Sequence, residues 1–321
     1  MDYYLRIDGG IGRAISASGA IVEFSDQHPE DKTFIVTSFP DVFHGLEGVE
    51  RIYPIGTPFL YEDHILNGVY LEPEPYNDVA YYKENRHIAL CFNKLLNNVE
   101  ENVAPHMVLT DNELAEAKTF IDQMRKENKK KIVLVQPWGS SGGKVVGEGQ
   151  INTDETYRSF GWEFAKRLNQ TLLDEGYQPF LIKSVDQAGI EGAKTFNNLP
   201  IRKIIALIPF VDGVIACDSF LHHAAEAVKQ YGQPPVVVLW GGTNPDNLSY
   251  KDQTNIVSWK KVLYEPNRIP HDHAYYVNKN KGCNEFKLET INEIMEVLKN
   301  ESRKNSEIKR NNIEETTSTQ K

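Results

Sequence analysis

The chain has 321 residues, with 35 Lys and Arg against 45 Asp and Glu, a net charge of −10. With 40% hydrophobic and 25% charged residues it reads as a soluble globular protein with roughly two domains' worth of core, not a disordered or collagen-like polymer. The negative total excludes a general polyanion binder but leaves room for a local basic patch. Three cysteines, Cys91, Cys217 and Cys283, have neither zinc spacing nor a disulfide framework, so a reducing cytoplasm is the expected setting. No apolar run approaches the ~20 residues of a membrane helix. The start, Met1 to Arg6, lacks the pattern of a secretory signal.

In chain order, residues 3–7 form a β-prone run, Asp8 to Arg13 a glycine-rich turn, and Ala14 to Phe24 a helix. Strand, glycine turn and helix open many nucleotide- and sugar-binding α/β domains. Strands are expected at 33–37 and 51–55. Residues 56–82 carry Pro58, Pro73, Pro75 and many tyrosines, and read as a long irregular loop with short helical pieces. Helices are expected near 83–97 and 111–126. The charged bridge from Glu127 to Lys131 marks the domain boundary.

A second α/β alternation follows. Strands are expected at 132–136, 179–182, 213–217 and 235–240. Thr153 is expected to cap a helix carrying Tyr157, Phe160, Phe164 and Leu168, and further helices are expected at 201–208, 219–230 and 288–299. Runs of β-branched residues between helices imply parallel strands covered on both faces. Residues 301–321 are polar and are expected to be disordered.

Three loops carry anion-binding chemistry. Asp218 and Ser219 stand where a strand meets a helix, whose N-terminal N–H groups and dipole favour an anion, and His223 lies one turn further on. The plainer alternative is a helix cap with packing histidines. The loop of Gly241, Gly242 and Thr243 and the segment with Trp138, Gly139, Ser140, Ser141 and Lys144 fall on the same sheet edge, where α/β ligands bind. The latter lacks Walker A spacing. Together they favour a phosphate site. His271, Asp272 and His273 could ligate a metal, but no further ligand completes a set, and they are read as a loop cluster. Tyr53, Tyr61, Tyr70, Tyr76, Tyr81 and Tyr82 could stack sugars or bases, or pack the loop on the core.

The segment from 199 to 245 resembles the heptosyltransferase-type glycosyltransferases of family 9. Ile204 to Ile208, Val211-Asp212, Cys217-Asp218-Ser219, His223-Ala224-Ala225 and Gly242-Thr243-Asn244-Pro245 follow that family's order and spacing. The Gly9–Gly12 loop, His28-Pro29, residues 49–52 and Cys283 fit less specifically, and 56–105 has no counterpart, so the resemblance covers about two thirds of the chain. It implies a GT-B fold: two Rossmann-like domains with parallel sheets facing across a cleft. The division would be an acceptor-side domain at 1–127, a nucleotide-sugar-binding domain at 128–282, a C-terminal helix at 283–300 and the tail at 301–321.

The resemblance implies inverting, metal-independent sugar transfer from a nucleotide-sugar to an acceptor hydroxyl, with no other cofactor. Trp138, Ser140, Ser141, Lys144, Asp218, Ser219, His223, Gly242 and Thr243 would bind the donor. Gly9, Gly10, Gly12 and Asp41 would lie on the acceptor side. Two residues depart from the family pattern: Phe220 replaces a glycine, and Arg13 replaces the aspartate expected as base. Arginine cannot act as a base, so Asp8 becomes the leading candidate, with Arg13 beside it in the catalytic set; Asp8 as a turn-stabilising side chain is the alternative. The acceptor would be a surface glycan such as lipopolysaccharide core, compatible with peripheral membrane contact, or a hydroxymethylated base in phage DNA, read by Arg13, Lys83, Arg86 and Lys94 in a bacteriophage member. The rival readings are a non-catalytic nucleotide-sugar binder and a UDP-sugar epimerase.

Overall fold

The computed structural model describes residues 1–139, 145–146, 152–153, 158–184, 187–196, 199–258 and 285–300. A four-stranded parallel sheet has the order β3-β2-β1-β4, with β1 Asp2–Ile7, β2 Lys32–Thr37, β3 Val49–Pro54 and β4 Val69–Leu71. A six-stranded parallel sheet has the order β10-β9-β8-β5-β6-β7, built from β5 Lys131–Gln136, β6 Tyr177–Leu181, β7 Lys194–Thr195, β8 Gly213–Cys217, β9 Val236–Trp240 and β10 Thr254–Val257. The principal helices are α1 Ile11–Gln27, α2 Ile88–Asn97, α3 Asp111–Asn128, α4 Trp162–Asp174, α5 Ile201–Leu207 and α6 Phe220–Ala227, followed by α7 at 290–300. Among the described residues no helix is long and apolar enough to cross a membrane.

Alternation along the strands assigns the faces. In β1, Leu5 and Ile7 enter a core that also contains Ile132, Val214, Ala216 and Val238 of the second sheet. Tyr4 points the other way, onto Phe34 and Tyr53. In β8, Val214 and Ala216 face that shared core, while Ile215 and Cys217 face a second one holding Trp138, Phe160, Phe164 and the α7 side chains Ile291, Ile294 and Leu298. The large core therefore crosses from one sheet to the other. At its centre lies α1, whose run Ala14, Ile15, Ser16, Ala17, Ser18, Gly19 and Ala20 is buried all round. Small side chains let it pack on α2 and, from the other side, on α6.

Several elements differ from expectation. The irregular stretch 56–82 contains β4, which pairs with β1 through Tyr3↔Val69 and Leu5↔Leu71. The helix expected from residue 83 starts at Ile88, because His87 adopts an extended backbone and its Nδ1 accepts from the Ala89 N–H, a helix cap. Thr153 begins no helix: Asn152–Thr153 pairs antiparallel with Val145–Val146, and α4 starts at Trp162. Phe160 stays outside α4 because its N–H donates to the Pro137 carbonyl at 2.7 Å and Gly161 is extended. Helix α3 packs on α5 and β5 of the second sheet, so the bridge expected at 127–131 falls at its last turn. Tyr157, the 271–273 cluster, Cys283 and the tail at 301–321 lie outside the described residues.

Candidate active site

Two helix N-termini converge at the seam. After β1 the chain turns through Asp8, Gly9 and Gly10 into α1; after β8 it turns through Asp218 and Ser219 into α6. Neither helix has an acidic residue in its first turn or a capping bond from its N-cap residue, Gly10 or Ser219. Gln136, at the end of β5, substitutes at α6: its Nε2 donates to Ser219 Oγ at 2.9 Å and its Oε1 accepts from the Leu221 N–H at 3.0 Å. A β-carbon on Gly12 would come within 2.7 Å of His223 Cδ2 and 3.5 Å of Phe220 Cα. Glycine is what allows the two elements to meet there.

Asp218 is 2% exposed. Burial raises its carboxyl pKa, but His222 and the Arg158 guanidinium, 3.6 Å from Oδ2, outweigh this and hold it well below the ordinary carboxylate range. It is thus an ionised aspartate inside the protein, held by cationic and imidazole neighbours. His222 Nε2 lies 3.6 Å from Asp218 Oδ1, and its ring is tilted by 36° against His223 at 3.9 Å and edge-on to Trp240 at 5.4 Å. Burial, and then the neighbouring His222, push the His223 pKa well below the ordinary value, so its imidazole is neutral.

Asp218, His222 and His223 each offer a ligand atom within 4.8 Å of one another, which qualifies them as a cluster able to hold a metal ion. The cluster shares Asp218 with a guanidinium. A dication on the same carboxylate would face that fixed positive charge, so the donor set suits an arginine-based charge clamp better than a metal.

The remaining expected residues separate by environment. Ser219 and Gly242 line the sheet edge with Asp218; Thr243 is buried there, its Oγ1 without a hydrogen-bond partner. Trp138 is 1% exposed and stacks on Trp162 inside the second core. Ser140, Ser141 and Lys144 lie outside the described residues. Asp8 is partly exposed in the first-sheet turn, where it accepts from Gly9 N–H at 2.7 Å, Ser38 Oγ at 3.2 Å and Arg6 at 3.2 Å. Gly9 turns there with φ +99° and Gly10 has open space beside it. Arg13 is bound to Glu74 at 2.9 Å and to the Pro73 carbonyl, and lies over the rings of Tyr76 and Phe92, which ties the 73–76 segment to α1. The Asp41 side chain is exposed, while its carbonyl accepts from Arg202 of α5.

Arg158 was not singled out from the sequence. It stands just before Ser159, whose Oγ accepts from the Gly139 N–H, so the turn is tied to the end of β5. Its signal in the sequence is that of an isolated arginine between a glycine-rich stretch and an amphipathic helix.

No protein-family model and no curated protein matches the chain. Solved structures do. The glycosyltransferase of family 9 from Veillonella parvula matches with a TM-score of 0.66 at 12% identity over 92% of this chain and 96% of its own. The Escherichia coli ADP-heptose LPS heptosyltransferase II gives 0.61 at 13% over 94% and 100%. The iron-containing dodecameric glycosyltransferase TibC from enterotoxigenic E. coli gives 0.64 at 11% over 94% and 76%. At these identities the likeness establishes the fold: the chain has the two-domain GT-B architecture of these glycosyltransferases.

Proposed function

We propose that the protein is a glycosyltransferase that moves a sugar from a nucleotide-sugar to an acceptor hydroxyl. The observation that carries this reading is the ionised, buried Asp218 with Arg158 and the α6 N-terminus at the carboxyl edge of the second sheet, facing the glycine turn of the first. A leaving diphosphate needs fixed cations and N–H dipoles; Arg158 and the N-terminal dipoles of the two helices supply them. TibC has been solved in complex with ADP-D-β-D-heptose, a donor of this class. Asp218 positions Arg158, and Ser219, Gly242 and Thr243 complete the donor edge.

The acceptor hydroxyl would enter beside Gly9 and Gly10, and Asp8, as carboxylate, would take its proton while the oxygen attacks the anomeric carbon opposite the diphosphate, inverting that centre. Arg13 holds the 73–76 segment rather than the reacting atoms. The iron in the description of TibC is not carried over, because Asp218 is already engaged by a guanidinium, and no step is routed through a metal.

A surface glycan is favoured over DNA as acceptor. Of the four cations that could form a DNA patch, Arg13 faces Glu74, Arg86 faces Glu84 and Lys94 faces Asp78 and Glu100. Paired in this way they leave little net charge for phosphates.

Thermal denaturation with ADP, UDP, GDP or CDP tests the donor site. One of them at about 100 Kd should add ~2.7 kcal/mol, or a Tm rise of ~4 °C. Asp218→Asn should weaken that nucleotide at least ~10-fold, the loss of one charge-assisted contact. No shift with any of the four at millimolar concentration would remove the donor site.

A further inference from the structure

The end of the second sheet opposite the donor edge holds a cavity of about 640 Å³ that the proposed transfer does not use. It lies where α3 and α7 end and where β5 and β6 begin. Lys131 and Gln136 are the two ends of β5, so the cavity and the donor edge stand about 16 Å apart along that strand. Arg125, Lys129, Lys130, Lys131 and Lys299 line the cavity, against the carboxylates of Glu175 and Asp212. One concave surface thus carries an excess of positive charge in a chain whose net charge is −10.

Both carboxylates are already engaged. Asp212 accepts from Arg125 Nη2 at 3.0 Å and from the Ile132 N–H at 2.8 Å, and Glu175 accepts from Lys299 at 2.7 Å. Arg125 is further held by the Phe210 carbonyl at 2.7 Å and by Asp122 at 3.6 Å. The excess therefore belongs to Lys129, Lys130 and Lys131, for which the described residues supply no carboxylate partner. Lys130 Nζ has the Leu173 carbonyl at 3.5 Å, and Lys131 Nζ lies 5.4 Å from the centre of the Tyr177 ring.

Three consecutive residues of a regular strand would point to alternate faces. Here Lys129 ends α3 in a left-handed turn with φ +51°, and all three lysines line the same cavity. Complementing the carbonyl end of α3 does not account for them. That helix already has Arg125 and Lys126 in its last turn, and Lys131 belongs to a strand. Like charges on one cavity wall repel, and an anion among them relieves the repulsion.

We propose that this cavity is a second anion site, separate from the donor edge, which takes an oligophosphate group through Lys129, Lys130 and Lys131. Ammonium groups act as point charges that suit phosphate oxygens, and three of them match a group of two or more phosphates better than a lone carboxylate. A soluble oligophosphate and a phosphorylated lipid both present that chemistry. The inference does not depend on the donor-site reading.

Titration of the ¹⁵N-labelled full chain with inorganic tripolyphosphate tests it. The amide signals of Lys130, Lys131, Gly176 and Tyr177 should shift together with one Kd. These shifts should persist in Arg158→Gln, which disarms the donor edge. In the triple variant Lys129→Gln, Lys130→Gln and Lys131→Gln the Kd should rise at least ~10-fold, as for three exposed charge contacts acting together. Because no carboxylate loses a partner, that variant should melt at the wild-type temperature or above. Should it fail to fold, Lys129→Gln alone, at an exposed turn, should raise the Kd ~2–5-fold. Unchanged affinity in these variants overturns the proposal, as does the absence of shifts at the four amides at millimolar tripolyphosphate. Co-sedimentation with phosphatidylcholine vesicles is compared with and without phosphatidic acid. Capture by phosphatidic acid alongside tripolyphosphate binding, both lost in the triple variant, supports the site with a lipid as its source. No capture alongside tripolyphosphate binding supports it with a soluble source. Capture without any tripolyphosphate binding overturns it in favour of a membrane-facing surface.

Discussion

At Asp8 the bonds that hold the carboxylate also weaken it as a base. The Gly9 N–H stabilises the charged form first, partial burial opposes this, and Arg6 and Ser38 add to the lowering, so its pKa lies below 3.8. The group is fully ionised at neutral pH, and in the proposed role of base it would need the departing diphosphate to draw the reaction forward. Asp8→Asn should lower turnover by ~10²–10⁴-fold and leave nucleoside diphosphate affinity unchanged. The acidic limb of kcat/KM should fall below pH 3.8, where the carboxylate is protonated; a limb near neutrality would assign the base to another group. Gly12 is the second sensitive residue. A methyl group there would meet the His223 ring at 2.7 Å, so Gly12→Ala should displace His223 or part the two helices. The expected result is a loss of ~1–3 kcal/mol in chemical denaturation, as for overpacking, together with weaker nucleotide-sugar binding. A variant of normal stability and affinity would mean that the seam is looser than described.

At the scale of elements, two helix starts tie stability to pH. Thr110 and Glu113 form a capping box at α3, and Glu113 also binds Arg202 of α5, whose guanidinium reaches the Asp41 and Val108 carbonyls. Burial raises the Glu113 pKa, but Arg202 and the Thr110 bonds overcome it and bring it to about 2. His87, which caps α2, is pushed by burial down to about 4. Both folded-state values lie below the unfolded ones, so both contributions are present at neutral pH and lost on acidification. His87 acts between its ordinary 6.5 and about 4, and Glu113 between 4.5 and about 2. Denaturant midpoints should therefore fall in two successive steps below pH 6.5. Glu113→Gln should shrink the lower step, which Asp218 and Asp8 share, and cost about 2 kcal/mol at pH 7.

These elements also show what the sequence made legible. The buried strands β5, β8 and β9 were readable because parallel strands covered on both faces are unbroken β-branched runs. The short strands β4, β7 and β10 were not. They are two to four residues long, and β4 owes its existence to pairing with β1 rather than to its own composition. In the site, Asp218, Ser219 and His223 were readable from a strand-to-helix junction. Arg158, Ser16 and Tyr250 reach the same place from distant positions, and only the folded chain brings them there.

At the scale of the molecule, the GT-B frame turns two carboxyl sheet edges toward one another, and a core continuous between the sheets holds them there. Arg158 and a helix N-terminus on one edge and an open glycine turn with a carboxylate on the other are what the proposed transfer between two bound partners requires. Arg202 and Asn247 add hydrogen bonds across the same seam, the latter to the Tyr81 and Arg86 carbonyls. The measurement that bears most directly on this account is native mass spectrometry of the intact chain with a panel of ADP-, UDP-, GDP- and CDP-sugars, followed by analysis of what is released. The account predicts one nucleotide-sugar held per chain, slow release of the matching nucleoside diphosphate in water, and loss of the complex in Asp218→Asn. A folded chain that retains none of the panel, or one that releases an epimerised sugar in place of the diphosphate and a transferred sugar, would contradict it.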